Sequence, residues 1–289
     1  VAGVNATTDA AAGGTVRGRG ARRRHLPSRL VLLVVGLFYL LPMLSMARFA
    51  FQRIPMYVLD ASNVLSKWTA APLLDAVRQP EFVTAALLST RLAVLAALVT
   101  VVLLVPTLIY AYVVLPAAKP ILDTISILPF VVPAIALVVG IAGAFRPIAP
   151  WFIASDLSLV PFYVVIALPY TYRSIDNSLA ALDLRTLVDA GRSLGASWPR
   201  IVWSVVIPNI RAGIATAMLL VATVVLGEFT VASLLLKETL PLYLQYLQGG
   251  DPQGAFAVGL ALMVVTAALL GAINKTSARR GVTQVAGVM

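Results

Sequence analysis

Residues 92–115 form a run of 24 positions without one charged side chain, and residues 252–274 are uncharged throughout. A helix rises about 1.5 Å per residue, so about 20 such residues cross a hydrocarbon core of about 30 Å. The rest of the chain agrees, with 60% hydrophobic and only 12% charged residues. Soluble domains carry about 25% charged residues. A surface this poor in charge needs an apolar solvent, and a bilayer supplies one.

Four more segments read as spans. Residues 30–47 are uncharged, and the apolar stretch continues to Phe51. This is longer than a signal-peptide core and lacks a clear small-residue cleavage site, so it is read as a retained first span. The second span covers 92–115 and starts earlier, near Phe82. The third lies in 121–145, the fourth in 157–175 and the fifth in 211–236, interrupted by Glu228; the sixth is 252–274. Pro129, Pro133, Pro161 and Pro169 in the third and fourth predict kinks, which membrane helices tolerate when neighbours satisfy the freed carbonyls. The expected fold is all-α and polytopic with six transmembrane helices. Residues 1–29 form a basic tail, disordered in its first half. Residues 30–274 form the membrane domain, and 275–289 a second tail.

Lys and Arg set the orientation. With the N-terminus inside, 15 of them fall on the cytoplasmic side and 6 outside, leaving Arg91 in or beside span 2. This bias places both termini in the cytoplasm. It also accounts for the net charge of +10 without nucleic acid, since no aromatic-rich basic face accompanies it. The chain has no cysteine, and its one histidine, His25, lies in the basic tail. Disulfides, thiolate sites and histidine metal sites are therefore not expected. Residues 52–80 read as an outer loop.

Between spans four and five, residues 176–210 form the longest cytoplasmic segment. Leu184, Leu187, Gly191 and Leu194 recur at helical spacing, with Asp183, Arg185, Asp189 and Arg192 largely elsewhere. Gly195 suits a left-handed helix cap. Ser197 is a candidate N-cap for a second helix, with Pro199 in its first turn. Val202, Val205 and Val206 cover an apolar face, and Pro208 is expected to stop that helix before span five. Helix, tight turn and short helix suit a mechanical contact with another protein. An interfacial pair that merely connects two spans has the same pattern.

This loop resembles the signature of binding-protein-dependent permeases, the type I ABC importers. Their pattern is E-A-A, three residues, G, nine residues, I, any residue, L-P. Here Asp189-Ala190-Gly191, Gly195, Val205 and Ile207-Pro208 fall at those spacings, with Arg192, Ser193, Leu194, Gly195, Ala196 and Ser197 as the string between. The L-P-F-V-V-P from Leu128 to Pro133 and the L-G-E-F from Leu226 to Phe229 extend the resemblance over about residues 80–274. The resemblance implies a permease subunit of the bacterial inner membrane, paired with a second permease, identical or related. It implies a cytoplasmic ATPase dimer that binds the ATP and grips the loop as a coupling helix, and an extracytoplasmic solute-binding protein. Asp189 would meet the ATPase surface. The overall pattern is most similar to the polyamine group, with phosphonate, thiamine, iron and molybdate permeases as neighbours.

Two enzyme motifs are weighed against this. Gly191-Arg192-Ser193-Leu194-Gly195 matches G-x-S-x-G, but a nucleophile elbow follows a strand and needs a histidine base. No G-x-x-x-x-G-K-[ST] phosphate loop occurs, so ATP chemistry belongs to another polypeptide and no cofactor is expected in this chain. An intramembrane enzyme would need clustered groups within the spans, and an ion-driven carrier or channel would need no docking helix. Glu228 lies about 25 Å along a straight helix from Arg211. At that depth a carboxylate faces a cavity or a partner. It is read as a translocation-pathway residue, or as a structural carboxylate paired with a neighbouring span through Arg91. Asp123 reads as a boundary charge, and Trp151 and Tyr243 as interfacial anchors.

Overall fold

A computed structural model describes residues 25–52, 60 and 66–278. The expectations for the N-terminal tail before His25, for most of the 52–80 loop and for the tail beyond 278 lie outside these residues. The described chain is helical and holds no strand, only a single bridge between Gln52 and Trp68. In order, the helices are α1 (His25–Phe51), α2 (Ala71–Val77), α3 (Pro80–Val113), α4 (Lys119–Val131), α5 (Ala134–Phe145), α6 (Pro150–Ala154) and α7 (Leu159–Ala180). They continue with α8 (Leu184–Ser193), α9 (Trp198–Ile201), α10 (Ile207–Gly227), α11 (Thr230–Leu234), α12 (Leu240–Gly250) and α13 (Pro252–Ala278).

The chain divides into two compact units, residues 1–48 and 49–289. In the first, α1 carries Leu30, Leu32, Phe38 and Leu44 exposed. A single helix with apolar side chains all round has nothing of its own to bury them against and suits lipid. In the second, α3, α7 and α10 pack on one another, and α13 joins α2, α12 and α10. One apolar cluster holds Leu92, Ala93, Ala96 and Ala97 of α3 against Phe162, Tyr163 and Ala167 of α7 and Val221 and Val225 of α10. A second holds Leu108 and Ile109 against Tyr172, Ile175 and Leu179, together with Leu184 and Val188 of α8 and Ile201 of α9. In lipid the hydrophobic effect does not draw helices together, so close packing of small residues and interhelical hydrogen bonds must. The alanines of α3 serve the first need. Ser174 Oγ on α7, which donates to the Gly213 carbonyl on α10 at 3.0 Å, serves the second.

Four helical segments are long and apolar enough to cross a membrane: Leu30–Phe51, Pro80–Val113, Trp198–Gly227 and Pro252–Ala272. A bent pair, Pro116–Val131 with Ala134–Phe145, makes a fifth if counted as one span. The expected third span is therefore two helices meeting at 98° rather than a kinked rod. The cause is Pro133, whose ring pushes Val132 out of the helical region to φ −91°, ψ 114°. The expected fourth span corresponds to α7, whose 22 residues suffice in length but include Arg173 and Asp176. It is more enclosed than α3, with eleven of its 22 residues buried against eleven of 34.

Three further expectations change. Asp176 was assigned to the loop, but α7 runs on to Ala180 and Asp176 is only 7% exposed. Its carboxylate is paired with Lys119, which makes that burial tolerable. Pro208 does not stop a helix. Residues Val202–Val206 form a π-helical turn in which the Ile207 N–H reaches the Val202 carbonyl, and the helix continues from Trp198 to Gly227. Proline offers no N–H to the carbonyl one turn back, and a π turn spreads the backbone there. Asn209 Nδ2 donates to the neighbouring Val205 carbonyl at 2.7 Å. Finally, the segments expected to lie outside contain α2 and α12, which apolar periodicity did not reveal.

Candidate functional site: the helical lever between α7 and α10

Asp183 opens α8. Its carboxylate accepts from the Thr186 hydroxyl at 2.7 Å and the Thr186 N–H at 3.4 Å. These bonds, the side-chain one first, hold the Asp183 carboxyl below its ordinary range. Leu184 and Val188 fix the helix to the ends of α3 and α7. The expected apolar line of Leu184, Leu187, Gly191 and Leu194 is therefore corrected. Val188 is fully buried, whereas Leu194 is 88% exposed. Asp183, Arg185, Asp189 and Arg192 face outward, as the spacing predicts.

The helix ends in a Schellman motif: the Ala196 N–H bonds the Gly191 carbonyl at 3.0 Å and the Gly195 N–H the Arg192 carbonyl at 2.9 Å. That closure requires a left-handed residue, and Gly195 has φ +76°. Ser197 then takes extended geometry as N-cap, with Pro199 in the first turn of α9. Its hydroxyl makes no capping bond. Two contacts brace the angle between α8 and α9. Ile201 packs so closely that a Cβ on Gly191 would stand 2.8 Å from its Cγ1. The Arg192 guanidinium lies 5.8 Å from the centre of the Trp198 ring. The residues singled out in the sequence, Asp189 through Ser197, thus form one exposed corner. Pro208 is not part of it and lies within the rod behind it.

The corner has no hydrolase geometry. Ser193 sits in the last turn of a helix, and its hydroxyl donates to the Asp189 carbonyl at 2.9 Å. Among the described residues no group of three metal-ligating side chains occurs.

Glu228 stands where α10 ends. It takes extended geometry at φ −84°, ψ 115°, and its carboxylate accepts from the Thr230 N–H at 2.8 Å and the Val231 N–H at 2.9 Å. It therefore caps α11. Among the described residues no ion pair joins it to Arg91. Tyr243 is more than an interfacial anchor: its hydroxyl donates to Gln79 Oε1 at 2.8 Å, and its ring meets Phe82. It lines a cavity of about 410 Å³ together with Glu81, Glu238, Tyr246 and Asp251. Nothing in the sequence brings these carboxylates together, because they come from α3, the α11–α12 turn and the end of α12.

Several helices long and apolar enough to cross a membrane, two of them joined outside their apolar stretches by a braced helical corner, define a polytopic membrane protein. Residues 116–280 match the family described as the binding-protein-dependent transport system inner membrane component, which is more than half of the chain. The chain belongs to this family. Such components work in general with an ATPase and a binding protein. No curated protein matches the chain in sequence.

Proposed function

We propose that the chain is the permease subunit of an ATP-driven importer in which α8 and α9 dock in a cleft of a cytoplasmic ATPase. One observation carries this reading. The corner from Asp189 to Ser197 is held in shape from within by its Schellman closure and the Ile201 contact, yet it presents Leu194 to solvent. Trp203, in the π turn that follows α9, is also 70% exposed. An exposed leucine on a corner that holds its own shape suits a socket on another protein, where a purely interfacial pair would turn it to the headgroups.

In this reading α1, α3, the α4–α5 pair, α7, the rod Trp198–Gly227 and α13 are six crossings with both termini in the cytoplasm. The Lys and Arg asymmetry supports that orientation. A second permease, identical or related, completes the pathway, and an extracytoplasmic binding protein delivers the solute. Glu228 lies beside the pathway. The cargo is a polyamine: the cavity at Glu81, Glu238 and Asp251 has three carboxylates, two tyrosines and no basic side chain in its wall, a lining that suits an ammonium group.

The test uses the absence of cysteine. With Leu194→Cys as the sole thiol, the full-length tagged chain is expected to co-purify with an ATPase and to cross-link to it. In intact cells an impermeant maleimide should leave that thiol unlabelled. Labelling from outside, or a gently solubilised preparation free of any ATPase, overturns the proposal. For the cargo, calorimetry of the associated binding protein should show heat with spermidine and none with molybdate.

A further inference from the structure

Where α3 ends, α4 begins and α7 approaches its last turn, one ammonium group is enclosed by four side chains. Lys119 Nζ lies 2.9 Å from Asp123 Oδ1 and 3.0 Å from Asp176 Oδ1. It stands 5.6 Å from the Tyr112 ring centre and 5.5 Å from that of Tyr172. Each tyrosine then closes the ring of contacts. Tyr112 donates to Asp176 Oδ1 at 2.8 Å, and Tyr172 donates to Asp123 Oδ1 at 2.7 Å.

Tyr112 belongs to α3, Lys119 and Asp123 to α4, and Tyr172 and Asp176 to α7. The single cation therefore joins three helices. Its removal would leave two carboxylates side by side, one of them buried, and an uncompensated buried charge is the costly case. The group also has a particular address. Asp176 lies near the end of α7, and α8 begins just beyond it at Leu184. Tyr172 shares its apolar cluster with Leu184 and Val188, the two residues that seat the lever. On its other side Lys119 is the first residue of α4, the near limb of the pair bent by 98°.

We infer that Lys119 is a positioning residue that locks the near limb of the broken pair to the root of the lever, so that α4 and the end of α7 move as one body. As an account of transport this rests on the proposed function. As an account of the molecule it stands alone. A cation that served only to neutralise Asp176 would need one carboxylate, without Asp123 and without the tyrosines that tie α3 to Asp176 and α7 to Asp123. Here the bonding runs through both helices and returns.

The test takes the full-length chain in lipid nanodiscs with spin labels at Ile121→Cys on α4 and Ala180→Cys on α7, both exposed positions. These are the only thiols present, since the chain has no cysteine. A single narrow interlabel distance is expected. Lys119→Met should abolish the narrow peak. Lys119→Asp combined with Asp176→Lys again sets one cation between two carboxylates, and it should restore the peak. A peak unchanged in Lys119→Met, or a swap that fails to restore it, overturns the inference. If Lys119→Met yields no folded chain, the swap alone decides by the same criterion. In the complex with the co-purified ATPase, ATP with vanadate should leave the parental distance unchanged, and a shifted distance overturns the inference. A preparation without an ATPase counts against the proposed function instead and leaves the nanodisc result to be read by itself.

Discussion

At Gly213, in the contact between α10 and α7, a Cβ would stand 2.0 Å from Ser178 Oγ and 3.0 Å from the Ser174 carbonyl. At Gly195, in the lever, a Cβ would meet nothing within 4 Å, yet the backbone has φ +76°. The first glycine is required by its neighbours and the second by its own dihedral angle. The bundle is thus specified by packing, as a membrane interior must be, since burial alone does not hold helices together there. The lever is specified by local backbone chemistry, so it keeps its shape with one face bare.

This contrast can be broken by substitution. The largest effect is expected for Gly213→Leu. It has no way to clear the Ser174 carbonyl without parting α7 from α10, and it should cost at least about 3 kcal/mol, the upper part of the overpacking range. Thermal melting and folded yield in nanodiscs read it out, and a melting temperature equal to the parent's would refute the packing argument. Gly195→Val comes next. Forcing a β-branched residue into left-handed geometry costs roughly 1–2 kcal/mol, with membrane insertion unchanged and ATPase capture reduced. Gly195→Asn sharpens the point, since asparagine adopts that geometry more readily. It should recover most of the capture, and equal losses for Val and Asn would mean that space rather than dihedral angle matters.

Gly191→Ala should do less. Ile201 must leave its preferred rotamer at about 0.5–1.5 kcal/mol, while alanine in place of glycine returns up to about 1 kcal/mol of helix propensity. A net change beyond about 1 kcal/mol in either direction would show that the brace is stiffer than one side chain. The smallest effect belongs to the Asp183 cap. Its folded-state carboxyl titrates below the unfolded value, so its contribution is complete above the unfolded value and is lost as pH falls through the folded one. Amide exchange at Thr186, corrected for intrinsic rates, should quicken in that acidic window and be insensitive to pH there in Asp183→Ala.

The lever was largely legible because its determinants are local. Gly195, Pro199 and the exposed Asp189 and Arg192 can be read from spacing alone. Burial along α8 was less so: Val188 is covered and Leu194 bare because of where α3 and Ile201 lie, which periodicity cannot reveal. Asp176 is the clearest miss. A lone aspartate beyond an apolar run looks like the start of a loop unless the distant Lys119 and Tyr112 that stabilise it are known. Prolines misled in both directions. Pro133 was expected to kink a span and instead divides it, whereas Pro208 was expected to end a helix and lies inside one. The difference lies in the preceding turn, where Val132 turns extended and residues 202–206 widen. The carboxylates around the cavity at Tyr243 were out of reach for the same reason as Asp176, since they lie on separate elements.

The unbroken run from Trp198 to Gly227 gives the lever unequal supports. On the α10 side it is built in, like a beam set into a wall, because no loop interrupts the backbone. On the α7 side residues 181–183 leave the helix before α8 begins, and the attachment is a joint. If the corner is pushed, α10 would take the thrust along its backbone, whereas the α7 side would take it through the side-chain packing of Leu184 and Val188.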